Sequence, residues 1–185
     1  MTLHVSDIIQ SPSNVEQLEA YGKKLADIRV GSEYNNYGWT PRKPKIGQRG
    51  VQLGIERVNR GAKALDRTIA NWQEKILPHT LKMDNGSYCM LGQAHPDEYG
   101  PQSLAFVSGL DLSKVREEDE AKYSRLYDKW QGDTGSEFAK RHGFLSSALV
   151  PFQLLDILWV NLLNERAFYG KKVFLKDPWS GRVLR

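Results

Sequence analysis

Residues 51–76 read VQLGIERVNRGAKALDRTIANWQEKI, and the spacing of their apolar members decides the fold. Val51, Ile55, Val58, Ala62, Leu65, Ile69, Trp72 and Ile76 follow steps of 4, 3, 4, 3, 4, 3 and 4, the recurrence of one face of a helix. The positions between them are mostly Arg, Lys, Asn, Glu, Gln and Asp, so the apolar stripe is well isolated. Gly54 and Gly61 weaken this helix by about 1 kcal/mol each relative to alanine. A straight helix of 26 residues is long for a domain of this size, and a break is expected near Asn71.

Upstream, Ser13 and Glu16 fit a capping box, with Val15, Leu18, Tyr21, Leu25 and Ile28 following at helical spacing. A first helix is predicted over about residues 14–29. Residues 31–50 carry four glycines and two prolines without periodicity, which reads as a long arm. Downstream, Leu77-Pro78-His79 and the Asp84-Asn85-Gly86 turn lead into the run Tyr88-Cys89-Met90-Leu91-Gly92-Gln93. Short helices are expected after Ser87 and around 103–107, and a longer one capped by Asp111 or Ser113 to about Trp130, where Gly132 stops it. Another is expected at about 136–142. Pro151 stands where a proline opens a helix, and Phe152 to Leu163 is apolar nearly all round, so that helix is central to the core or shared with a second copy. Lys172–Lys176 and Gly181–Leu184 flank Asp177-Pro178-Trp179-Ser180, which reads as a small β-hairpin. The expected fold is therefore mainly α: one compact helical domain of about five helices over 51–169. An N-terminal helix with a basic aromatic arm precedes it over 1–50, and a β-hairpin follows over 170–185.

The 185 residues are enough for a real core, and 40% hydrophobic with 26% charged residues is ordinary for a globular chain. No apolar run approaches the roughly 20 residues of a membrane span, so no membrane association is expected. The first 25 residues lack a basic start followed by an apolar stretch, so no secretory signal is expected. The single cysteine forms no internal disulfide and suits the cytoplasm. The net charge of +4 is unevenly spread. Residues 31–50 hold Arg42, Lys43, Lys45 and Arg49 against Glu33, and residues 170–185 hold Lys171, Lys172, Lys176, Arg182 and Arg185 against Asp177. The helical body is slightly acidic and its two appendages are basic.

In the arm, Tyr34, Tyr37 and Trp39 interleave with Arg42, Lys43, Lys45 and Arg49. Aromatic faces stack on bases while cations neutralise phosphates; the same composition suits an arm packed on a protein through cation–π contacts. At the other end, Lys172, Lys176 and Arg182 surround Trp179 at the expected turn, a combination that suits a binding anchor. Cys89, His95, Asp97 and Glu98 lack the paired spacing of a metal site. A Cys89–His95 or Cys89–His142 nucleophile and base pair is conceivable, yet Cys89 between Tyr88 and Met90 reads as a small core side chain. Glu117–Glu120 wraps around a helix rather than converging and reads as a solvated helix start. Gly-rich phosphate loops and Ser-centred elbows are absent. The sequence thus offers no catalytic residue, no metal site and no cofactor, and weighs against an enzyme.

Glu56-Arg57-Val58, Gly61-Ala62, Leu65-Asp66, Trp72, Leu81, the Cys89–Gln93 run, Gly143-Phe144, Leu155-Asp156, Trp159 and Arg166 form a pattern over roughly 110 residues. In this order and spacing the chain resembles a group of small, uncharacterised proteins encoded by phages of actinobacteria. The resemblance implies a source, and with it the host cytoplasm, but no reaction. The expected function is that of a non-enzymatic phage accessory protein binding a host or defence-system component through the two basic aromatic segments. The alternative is nucleic-acid or nucleotide binding through the same segments. A homodimer through the Phe152–Leu163 helix is a further expectation.

Overall fold

The computed structural model describes residues 46–96, 98, 100–170 and 173–184. The expected first helix and nearly all of the arm lie outside the described residues. Within them run eight α-helical segments rather than about five: α1 (Gln48–Thr68), α2 (Trp72–Lys75), α3 (Met90–Ala94), α4 (Pro101–Ser108), α5 (Leu112–Glu118), α6 (Glu120–Gln131), α7 (Asp133–Arg141) and α8 (Phe152–Tyr169). A 3-10 turn at Pro78–Thr80 joins α2 to the loop before α3.

All eight members of the apolar stripe are buried. The helix does break where expected: α1 ends at Thr68, and Asn71 takes a left-handed conformation at φ 51° before α2. Asparagine tolerates that region better than most residues, so the chain turns without glycine and Trp72 and Ile76 still reach the core. α8 packs along α1, and Trp159 at the centre is fully buried. Its ring stacks on Phe144 at 5.7 Å and meets Trp72 edge-on at 6.1 Å. Its indole N–H donates to the carbonyl of Gly143 at 2.8 Å. Only glycine fits at Gly61, because a Cβ would stand 2.1 Å from the carbonyl oxygen of His142 and 2.9 Å from the Trp159 ring. A second, smaller core gathers Ala105, Leu112 and Trp130 from α4, α5 and α6.

The helix expected from Asp111 to Trp130 is two helices. Asp111 caps α5 by accepting from the Lys114 N–H at 3.2 Å, and Asp119 breaks out of helical geometry to cap α6 from the Lys122 N–H at 2.9 Å. Part of the acidic run thus marks the junction. Pro151 immediately precedes α8, as expected, and Gly170 ends it at φ 99°.

The C-terminal β-hairpin is not formed. The turn itself is present, with Asp177 N–H bonded to the Arg182 carbonyl at 2.7 Å and Gly181 at φ 68°. Yet Lys176 and Val183 make one isolated bridge, and no strand occurs among the described residues. The reason lies on α1. The buried amide of Asn59 donates to the carbonyls of Leu175 and Leu184 and accepts from the Leu175 N–H, each at 2.9 Å. A side chain from the body takes the backbone groups that a ladder would have paired.

Gln52, Asn59 and Asp66 recur every seven residues and so share one line down α1. Gln52 donates to Asp177 at 3.2 Å, Asn59 holds the tail, and Asp66 takes a bidentate pair from Arg166 of α8 at 2.7 and 3.0 Å. Arg166 also donates from Nε to the Val173 carbonyl at 3.0 Å and lies over the rings of Trp72 and Phe174. This line fixes the tail and the end of α8 to α1.

Candidate functional site

Of the side chains singled out in the sequence, Tyr34, Tyr37, Trp39, Arg42, Lys43, Lys45 and Lys172 lie outside the described residues. Arg49 is exposed in the first turn of α1, and Lys176 and Arg182 are exposed on either side of the tail turn. Trp179 is half-buried and packs against the core, so its ring is shared between the body and solvent. Through the Gln52–Asp177 bond the start of α1 and the tail turn lie side by side. Burial works against the charge of Asp177, but hydrogen bonds from Ser180, Trp179 and Gln52 outweigh it and hold the carboxyl below its usual range. Glu165 is pushed up by burial, opposed by the charge of Lys176.

A concentration of positive charge lies elsewhere, between α1 and the C-terminal half of α7. An open cleft of about 530 Å³ is lined there by Arg57 and Arg60 from α1 and by Glu137, Lys140, Arg141 and His142 from α7 and its end. A second lobe of about 410 Å³ continues from Arg60 and His142 to Lys63, Asp66 and Arg67. Across the two lobes six cations face two carboxylates. One of these, Asp66, is already engaged by Arg166. The other, Glu137, is within 3.0 Å of Lys140. Arg60 pairs with Glu56 on its own helix at 2.9 Å, and Arg57 donates to the Ser147 hydroxyl at 2.8 Å. Arg49 stands about three turns before Arg60 on the same side of α1, so this one predicted residue falls in line with the groove.

His142 marks the centre. Its ring stacks on Phe138 at 4.0 Å, and Nδ1 lies 2.9 Å from the Phe138 carbonyl. A carbonyl only accepts, so that nitrogen carries the proton. Burial lowers the His142 pKa; the Phe138 carbonyl opposes this, while the charges of Arg141, Arg60 and Arg67 lower it further. The basicity of Arg57 is likewise lowered by burial and by Arg60. Cations from two helices thus converge on one point and repel one another, a cost that a bound anion would relieve.

The groove is hidden in the sequence because Arg57, Arg60, Lys63 and Arg67 sit between stripe positions and resemble any solvated helix face. The signal that could have found them is their recurrence at steps of 3, 3 and 4, with Glu56 and Asp66 as the only acidic residues of α1. Cys89 caps α3: its sulfur accepts from the Gly92 N–H at 3.3 Å and its thiol donates to the Gly86 carbonyl at 3.2 Å. It is half-buried against the core. Among the described residues no group of three His, Cys, Asp or Glu side chains could hold a metal ion, and no helix is long and apolar enough to cross a membrane. Comparison with protein-family models, with curated proteins and with solved structures finds no match.

Proposed function

We propose that this chain is a non-enzymatic binding protein whose groove between α1 and α7 takes a phosphate-bearing polyanion, with nucleic acid as the class of ligand that fits. One observation carries the reading: Arg60, Arg67 and Arg141, from two different helices, converge on His142, and of the three only Arg60 is paired with a carboxylate, Glu56. Arg67 and Arg141 are exposed, so their charges are available to a ligand. The guanidinium fork suits phosphate oxygens, and the cations of α1 from Arg57 to Arg67 extend over about 15 Å at the helical rise, room for several phosphates of one strand.

The test is a fluorescence-anisotropy titration of labelled oligonucleotides at several salt concentrations. Released counterions give a slope of log affinity against log salt of about −0.7 per phosphate on a single strand, hence about −3 for four engaged cations. Arg67→Glu with Arg141→Glu should weaken binding more than about tenfold and flatten that slope by about 0.7 for each phosphate no longer neutralised. Both residues are exposed, so the fold is untouched. Absent or salt-insensitive binding would end this reading. Retained capture of a host or defence protein in that case would favour the partner expected from the basic aromatic segments.

A further inference from the structure

Phe168 and Tyr169, in the last turn of α8, are the most exposed large apolar side chains among the described residues, at 81% and 68%. Their rings meet edge to face at 4.7 Å with an interplanar angle of 73°. We infer that this pair is a base-stacking platform, and that the nucleic acid taken by the groove is single-stranded; the inference rests on the groove reading above.

Arg166, three residues before Tyr169 and so its neighbour on the helix surface, is bonded to Asp66. Asp66 lines the second lobe of the groove beside Arg67. The turn of α8 that carries the rings is thus tied through Arg166 to the Asp66 end of the second lobe. Cations along a groove with aromatic rings at its end are the combination that holds a single strand, whose bases expose their faces. A duplex keeps those faces stacked inside and offers the rings nothing. A protein contact would also use exposed aromatics, but the adjoining surplus of positive charge favours a phosphate backbone. An anionic membrane would be met by charges on a plane, whereas these line a cleft.

The experiment uses the full chain with three probes: a thymidine oligomer, a duplex of equal length, and inorganic polyphosphate, which has charge but nothing to stack. In Phe168→Ala/Tyr169→Ala the affinity for the thymidine oligomer should fall at least about tenfold, with polyphosphate binding and the melting temperature unchanged. Phe168→Trp should keep the affinity and show fluorescence quenching on oligomer binding. Equal losses for oligomer and polyphosphate, or no loss for either, would overturn the platform while leaving the groove reading intact. Phosphatidylserine vesicles are a separate control: loss of binding to these alone would reassign the rings to a lipid surface and overturn the platform as well. Failure of the unaltered chain to bind any of the three polyanions would remove both readings.

Discussion

Replacing Asp66 with alanine would strand the guanidinium of Arg166, whose side chain is 1% exposed. Two of its hydrogen bonds would go, leaving the Val173 carbonyl and the faces of Trp72 and Phe174. Breaking a buried pair from one side costs about 3–5 kcal/mol. The Asp66 side chain is 30% exposed, so water reaches the vacated position and sets this loss at the lower end, about 3 kcal/mol. The Trp72 indole N–H, which donates to Asp66 at 2.9 Å, loses its acceptor and adds about 1 kcal/mol. A total of about 4 kcal/mol is a large share of an ordinary stability of about 5–15 kcal/mol. For a chain of this length it lowers the melting temperature by roughly 8–16 °C. Urea denaturation followed by tryptophan fluorescence measures it. The double variant Asp66→Ala/Arg166→Met should be more stable than Asp66→Ala alone, because no charge then remains buried. An Asp66→Ala loss below about 1 kcal/mol, or a double variant worse than the sum of the single changes, would refute the reasoning.

Burial raises the Asp156 pKa to about 6, opposed by the Met83 N–H at 2.6 Å and assisted by the charge of Asp84. Its stabilisation is fully present below the unfolded value of 3.8 and is lost as pH rises through about 6. Asp156→Asn, which keeps the acceptor for Met83, should therefore gain up to about 3 kcal/mol at neutral pH and lose that pH dependence in urea melts; an unchanged slope would count against the assignment. His142 carries the opposite sign: its lowered pKa makes the free protein less stable as pH falls below 6.5, where the unfolded chain takes up the proton first. A seated anion offsets Arg60, Arg67, Lys140 and Arg141, so polyphosphate affinity should rise as pH falls from about 7.5 to about 6, and His142→Gln should flatten that rise. Identical pH profiles for the two proteins would exclude His142 as the linked group.

The main helix was legible in the sequence because one period, repeated over eight residues, serves one purpose: burial against α8 and the short helices around it. Its break at Asn71 and the start after Pro151 were legible for local reasons, since backbone preference acts within a few residues. The tail was not. Asp177-Pro178-Trp179-Ser180-Gly181 does form a turn, but what its flanks pair with is decided by Asn59, 116 residues from Leu175 and 125 from Leu184. Nothing in the tail announces that partner. The Asp66–Arg166 pair, 100 residues apart, was hidden in the same way, as was the meeting of Arg60 and Arg67 with Arg141. Each is a polar residue on a helix whose local sequence reads as a solvated face.

The polar side of α1 separates into two lines, and the difference between them is what points to a ligand. Along the first, Gln52, Asn59 and Asp66 each meet a partner from the tail or α8, so that line holds the molecule together. Along the second, Arg49, Arg60 and Arg67 recur on a neighbouring side of the same helix, where α7 delivers Lys140 and Arg141 with Glu137 as its one acid. A purely structural surface would gain by alternating its charges, because opposite charges on adjacent helices attract while like charges raise the free energy of the folded state. Here burial lowers the proton affinity of His142, and the charges of Arg141, Arg60 and Arg67 around it lower it further. On the reading proposed above, an anion seated in the groove would offset that repulsion, and its binding would then be coupled to the stability of the fold.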